Sequence, residues 1–141
     1  MPCYDLFISH AWDHDERYQG VARLLNDAPN FQWRDYSFPR EYPAVDPGSE
    51  VGRNTLRRIL RENVRQSSCF LLIAGMYVNH RYWVQAEIEF AQEFRKPIVG
   101  IRRRGQQMTP QVVFDVSHEV VNWNGNSITT AIRNVVGSRS W

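Results

Sequence analysis

The residue in this 141-residue chain whose type and setting most suggest chemistry is Glu87. It lies in the stretch Asn79–Lys96, NHRYWVQAEIEFAQEFRK, where apolar residues recur at helical spacing. At about 100° per residue, Trp83, Val84, Ile88, Phe90, Ala91 and Phe94 share one arc of roughly 160°. Glu87 falls inside that arc, whereas Gln85, Glu89, Gln92 and Glu93 lie opposite, on the side that water should cover. A carboxylate flanked by Trp83 and Phe90 costs several kcal/mol to desolvate unless it is paired or faces a cleft. A salt bridge to one of the 17 Lys and Arg residues is the structural explanation, and a cleft is the functional one. The elements around this helix decide between them.

Tyr4–Ser9 (YDLFIS) reads as a first strand that ends in the polar loop SHAWDHD, where Asp13 or Asp15 can cap a helix over Glu16–Asn26. Gln32–Tyr36 reads as a weaker, more polar strand, suited to a sheet edge. Phe38–Gly48 (FPREYPAVDPG) holds Pro39, Pro43, Pro47 and Gly48, which forbid regular structure and predict a long functional loop. Ser49 and Glu50 open a helix that buries Leu56, Ile59, Leu60 and Val64. Ser68–Ala74 (SCFLLIA) is apolar enough for a central strand covered on both faces, ended by Gly75, with Met76–Arg81 leading into the Glu87 helix. Pro97–Ile101 is a fourth strand, followed by the loop RRRGQQMTP and a short helix over Gln111–Val116. His118–Trp123 is a fifth strand, and Ser127–Val136 a closing amphipathic helix.

Strands alternating with helices predict an α/β fold: one domain over residues 1–141, with a five-stranded parallel sheet in the order 2-1-3-4-5, helices on both faces and right-handed crossovers. The switch point then falls between strands 1 and 3, and ligands bind outside the carboxyl ends of those strands. Those ends are Ser9, His10, Ala11 and Trp12 on one side and Gly75, Met76 and Tyr77 on the other. Tyr77 leads into the Glu87 helix, so the misplaced carboxylate and the expected crevice coincide. Desolvation beside Trp83 favours the protonated acid unless a cation offsets it.

Composition narrows the partners. A net charge of +2 is too small to argue for nucleic acid, and Arg57, Arg58, Arg61 and Arg65, like Arg102, Arg103 and Arg104, read as a solvated helix face and a loop. The two cysteines, Cys3 and Cys69, form neither a metal spacing nor a disulfide framework, which fits a reducing cytoplasm. No apolar run approaches the roughly 18 residues of a membrane span, and no secretory leader is visible. The expectation is a cytoplasmic protein without membrane or nucleic-acid partners.

Several chemistries fail on the residues. Dinucleotide binding of the Rossmann kind needs glycines after strand 1, and SHAWDHD has none. A phosphate-binding P-loop is absent, and Gly75 stands where a phosphoacceptor receiver would want an Asp. Ser9 and His10 are neighbours at a strand end and point apart, which argues against a hydrolytic pair. His14, His80 and His118 make no metal spacing, so no metal and no cofactor is expected. What remains is one carboxylate with Trp12, Tyr36, Tyr77, Tyr82 and Trp83 around the predicted crevice. Such aromatics suit a nucleotide base or a pyridinium ring through stacking and cation–π attraction. One carboxylate suffices to cleave the N-glycosidic bond to nicotinamide, because nicotinamide leaves as a neutral ring. The acid need only hold the ribose hydroxyls and stabilise oxocarbenium-like charge.

At these residues the sequence resembles the TIR domain superfamily, in particular the bacterial TIR-like domains of the group that includes the signalling subunit of the Thoeris anti-phage system. The resemblance rests on FISHAWDHD, on the box Trp83-Val84-Gln85-Ala86-Glu87, on the apolar third and fourth strands and on VVNWNGNSITTAIR, and spans essentially the whole chain. It implies a flavodoxin-like fold whose enzymatic members cleave NAD as substrate, with Glu87 catalytic; the predicted crevice then offers Ser9, His10, Trp12, Tyr36, Tyr77 and Trp83 as the substrate-binding set. The resemblance also implies ADP-ribose or a cyclic isomer as product, a separate effector activated by that nucleotide, and self-association through a loop matching Phe38–Gly48. Two alternatives stay open: an adaptor that assembles without turnover, and a nucleoside deoxyribosyltransferase of related architecture, which also sets a glutamate beside a sugar.

Overall fold

A computed structural model gives the structure of the protein and describes residues 2–9, 16–37, 48–105 and 108–137. They form β1 (Cys3–Ile8), α1 (Glu16–Asp27), β2 (Gln32–Asp35), α2 (Glu50–Gln66), β3 (Cys69–Ile73), α3 (Ala74–Asn79), α4 (Arg81–Glu93), β4 (Ile98–Ile101), α5 (Gln111–Val116), β5 (Glu119–Val121) and α6 (Gly125–Gly137). The strands make one sheet in the order β2-β1-β3-β4-β5, and every neighbouring pair is parallel. This is the flavodoxin-like α/β arrangement that the strand and helix alternation predicts.

The crossovers set the layers. The step from β1 to β2 runs one way across the sheet and the later steps run the other, so right-handed connections put α1 on one face and α2, α4 and α5 on the opposite one. α6 returns to pack on α1, and α2 packs on α4. β3, with strands on both sides and helices on both faces, is buried along all of Cys69–Ile73. Phe7 of β1 stands in register with Phe70 of β3, their rings stacked at 5.5 Å.

α2 begins where Ser49 Oγ accepts the Gly52 N–H at 3.0 Å, an N-cap that satisfies one of the helix's unpaired donors. Leu56, Leu60 and Val64 follow at intervals of four and are buried, each side chain contributing about 1.5–3 kcal/mol on transfer from water. The arginines take the other side: Arg61 pairs with Glu93 of α4, and Arg57 donates to the Tyr82 hydroxyl at 2.6 Å. α4 ends in a Schellman turn. Arg95 at φ 55° lets its N–H reach the Gln92 carbonyl at 3.1 Å, and the Lys96 N–H reaches the Ala91 carbonyl at 2.8 Å.

The segment after β3 differs from the expectation. The strand stops at Ile73, and Ala74 and Gly75, read as its end, open α3 instead; Met76–Arg81 is helical up to His80. His80, at φ −135° and ψ 45°, ends α3 and precedes α4, so the Glu87 helix begins at Arg81 rather than at Asn79, where its periodic stretch starts. The loop Phe38–Gly48 lies outside the described residues except for Gly48, as do the candidate caps Asp13 and Asp15.

Asp35, the last residue of β2, ties the edge strand to α1. Its Oδ2 accepts the Tyr18 hydroxyl, and its Oδ1 accepts the Ser37 N–H at 2.8 Å together with the Ser37 hydroxyl. Burial first, and then the bond to Asp35, raise the Tyr18 phenol above its ordinary pKa. The folded chain therefore keeps a proton that the unfolded chain releases above about pH 10. This stabilisation is complete below that pH and is lost as the pH rises beyond it. Tyr18→Phe is expected to lower neutral-pH stability by about 1.5–3 kcal/mol, the range for a hydrogen bond to a charged group, and to flatten the alkaline decline. Urea unfolding of both proteins between neutral pH and the alkaline range checks this, and equal alkaline slopes would count against it.

Candidate functional site

Side-chain alternation decides which residues share a layer with α4. Tyr4 stacks on Phe31 at 5.2 Å, beneath Arg133 of α6, and Trp33 donates to Asn26 of α1, so these residues face α1 and α6. By period two, Asp5, Phe7 and Ser9, and likewise Arg34 and Tyr36, face α2 and α4. Ser9 and Tyr36 therefore lie on the face of the sheet that α4 covers, both at carboxyl ends of strands.

Ser9 is fully buried at the point where β1 and β3 part. Its N–H donates to the Leu71 carbonyl at 3.0 Å, and its Oγ accepts the Ile73 N–H at 3.0 Å. The hydroxyl thus satisfies a strand-end donor that continuing the ladder would otherwise satisfy. One hydroxyl proton remains for donation.

Glu87 has no accessible surface, and Val84, Ala86, Ile88, Phe90 and Ala91 are buried around it on α4, as the helical arc predicts. Its Oε2 is enclosed away from water. In a parallel fold α4 starts at the carboxyl rim of the sheet and runs away from it. Glu87 comes six positions after Arg81, which places its backbone about 9 Å below the rim at 1.5 Å per residue. Trp83, one turn nearer the rim on the same side, is half-buried and meets Tyr82 edge-on at 5.2 Å. At the corner between α3 and α4, Tyr77 is half-buried with the Arg81 guanidinium 5.4 Å from its ring. Tyr36 extends the β2 ladder by donating its N–H to the Leu6 carbonyl at 2.9 Å, and Arg34 lies 6.0 Å from its ring.

Of the sequence-derived set, Ser9, Tyr36, Trp83 and Glu87 thus belong to one layer, and Tyr77 sits at its rim. His10 and Trp12 lie outside the described residues. His118 serves the fold: its Nδ1 accepts the Ile98 N–H at 3.0 Å, a bond that links β4 to the approach of β5. Among the described residues, no cluster of three or more His, Cys, Asp or Glu side chains has the arrangement of a metal site. None of the described helices is long and apolar enough to cross a membrane.

One concavity was not anticipated. On the α1 and α6 face of the same rim, about 480 Å³ is enclosed by residues that include Arg17, Arg23, Arg102, Arg103 and Arg104. The arginine run after strand 4 was the available signal. In the order 2-1-3-4-5 it falls at the carboxyl edge beside strand 3, where a cationic loop means more than it does elsewhere.

Comparison with known proteins agrees with this architecture. The family described as Thoeris protein ThsB, TIR-like domain, matches residues 7–108. No curated protein sequence matches the chain. Among solved structures, a conserved protein from Enterococcus faecalis V583 superposes with a TM-score of 0.62 at 12% identity, covering 99% of this chain and 100% of that one. A 2-deoxyribosyltransferase from Bacillus psychrosaccharolyticus gives 0.58 at 13% identity, over 88% and 89% of the two chains. The CMP N-glycosidase BcmB from Clostridium botulinum gives 0.52 at 11% identity, over 91% and 97%. At these identities the likeness is one of fold.

Ser9→Ala leaves the buried Ile73 N–H without its acceptor, and such an orphaned group costs about 1–3 kcal/mol. A loss of that size is expected in urea unfolding. An unchanged midpoint would show that the bond between Ser9 and Ile73 does not hold the strand ends together.

Proposed function

The chain belongs to the family of the Thoeris protein ThsB TIR-like domain, and from that premise we propose that it cleaves the bond between nicotinamide and ribose in NAD. The observation that carries the reading is Glu87: a carboxylate with no accessible surface, set in the apolar face of α4 between Trp83 and Phe90. A fold does not sequester an acid there cheaply, because removal from water costs several kcal/mol after relaxation. In a dry site the same charge acts strongly on a developing cation.

The chemistry asks little of the protein beyond that charge. As the glycosidic bond lengthens, positive charge grows on the ribose C1′ and its ring oxygen, while the pyridinium takes the bonding electrons and leaves neutral. Glu87 stabilises the first change and needs no acid partner for the second. Trp83 and Tyr77 supply aromatic faces for the pyridinium. Tyr36 borders the crevice from β2, and Ser9 sits at its floor with one proton to donate; His10 and Trp12 complete the substrate-binding set in this reading. Water at C1′ gives ADP-ribose, and a nucleophilic atom of the adenine gives a cyclic isomer.

Either product suits a signal in anti-phage defence that activates a separate effector, with self-association through TIR-like surfaces assembling the active form in the cytoplasm. NAD is consumed as substrate, and no cofactor takes part. Two proteins that share the fold carry the names N-glycosidase and deoxyribosyltransferase, which supports this scaffold as a holder of sugar–base bonds. The full burial of Glu87 also favours a second reading, in which the acid is structural and the chain is an assembly module without turnover.

Glu87→Gln separates the two. It keeps size and polarity but removes the charge, and is expected to slow nicotinamide release by about two or more orders of magnitude while the thermal unfolding curve persists. The structural role predicts instead a loss of about 3–5 kcal/mol of stability, as when one partner of a buried pair is removed. Nicotinamide release and unfolding are measured on the same preparation. A variant that unfolds, or one that turns over NAD at the native rate, would sink the catalytic assignment.

A further inference from the structure

The rim of the sheet carries a second concavity on the face opposite Glu87. Arg17 and Arg23 reach it from α1, Arg102, Arg103 and Arg104 from the segment after β4, and Trp123 from the end of β5, around a volume of about 480 Å³. That volume lies within the roughly 300–1,000 Å³ of small-molecule sites. Among the described residues, Glu16 is the one acid in the lining. Elsewhere the fold matches its arginines with carboxylates: Arg34 with Asp5, Arg61 with Glu93 and Arg65 with Glu62. Arg23, Arg102, Arg103 and Arg104 form no ion pair among the described residues. Like charges gathered around a concavity repel one another, and an anion bound between them removes that cost.

The walls are shaped as well as charged. At Gly20 the missing side chain admits the Trp123 ring onto α1, since a Cβ would stand 2.8 Å from its Cζ2. At Gly75 the missing side chain admits Arg17 over the end of β3, where a Cβ would stand 2.7 Å from its Nε. A further guanidinium is seated on a ring, Arg104 at 5.6 Å from Trp123, while that of Arg102 lies 5.2 Å from Phe114 of α5, on the other face. Stacking orients the guanidinium plane and leaves its in-plane N–H groups for an oxyanion. Such a planar fork binds phosphate through paired hydrogen bonds, which a lysine does not.

We infer that this concavity binds the diphosphate group of a nucleotide. Several guanidinia spread over such a volume exceed what a single phosphate engages, and their excess charge over Glu16 suits a group with two to three negative charges. The place is the one where open parallel sheets take ligands, outside the carboxyl ends of the strands. Arg102 is fixed there by its N–H, which donates to the Val121 carbonyl at 2.8 Å and continues the ladder between β4 and β5. The diphosphate belongs either to the NAD proposed as substrate, reaching over the end of β3 from the Glu87 face, or to a separate nucleotide. The site itself does not depend on Glu87.

Calorimetric titration of the full chain with inorganic pyrophosphate and with ADP tests the site without any turnover. The native chain and Glu87→Gln are expected to bind both alike. Arg103→Gln/Arg104→Gln, with a native circular dichroism spectrum, should bind each about tenfold or more weakly per guanidinium lost. Arg61→Gln/Arg65→Gln removes equal charge from α2 and should leave both affinities at the native level. The proposal is overturned if the native chain binds neither probe, if Arg103→Gln/Arg104→Gln binds them as tightly as the native chain, or if the α2 variant weakens binding equally. The KM for NAD assigns the source: a rise in Arg103→Gln/Arg104→Gln parallel to the loss of ADP affinity identifies the substrate's own diphosphate, and an unchanged KM identifies a separate nucleotide.

Discussion

Where β1 and β3 part, one hydroxyl closes the centre of the sheet: Ser9 Oγ accepts the N–H of Ile73. The bond matters because parallel strands buried on both faces leave their end groups with no water to turn to. From that point the chain from Ile73 turns straight into α3, whereas β1 leads toward α1 on the other face. Adjacent strands whose following helices go to opposite faces leave a crevice between them. The rim is therefore open where β1 and β3 part.

That rim has two sides of opposite character. On the α2 and α4 face the polar feature is an acid, Glu87, embedded in apolar surface with aromatic residues toward the opening. On the α1 and α6 face the polar feature is a set of arginines, with Trp123 and the absent side chains of Gly20 and Gly75 shaping the wall. β3 separates the two: its last residue, Ile73, and Gly75 of α3 line the cationic side, while α3 leads on to the acidic one. A molecule with a cationic ring at one end and a diphosphate in its middle has the charge order that such a divided rim favours.

Much of this was legible in the sequence because burial writes a period into it. The apolar runs at β3 and β4, the stripe of Leu56, Leu60 and Val64, and the arc around Glu87 each specify a face, and five such segments in alternation specify the strand order. Helix α3 was not legible, since Ala74 and Gly75 read as the end of the strand and the few residues after them are too short a stretch to show a helical period. Nor was the work of Ser9, which looked like a ligand-binding hydroxyl; its acceptor role depends on Ile73, a residue 64 positions away. The arginine concavity was hidden for a related reason. Arg17 and Arg23 come from α1 and the other three from beyond β4, so only the sheet order brings them together.

The depth of Glu87 constrains any catalysis it performs. An acid with no accessible surface, about 9 Å below the rim along α4, cannot touch a sugar in this arrangement. For the acid to take part in turnover, the residues packed on it must move to admit a sugar. The joint at His80 is suited to that change, because α3 and α4 meet there through one residue outside helical geometry. Arg57 and Arg61 of α2, bonded to Tyr82 and Glu93, fasten α4 to α2 by contacts exposed to water. Such exposed contacts are individually weak, and a ligand or a second copy of the chain can exchange them. The helix that carries the buried acid is thus held on its outer side by contacts that binding can rearrange.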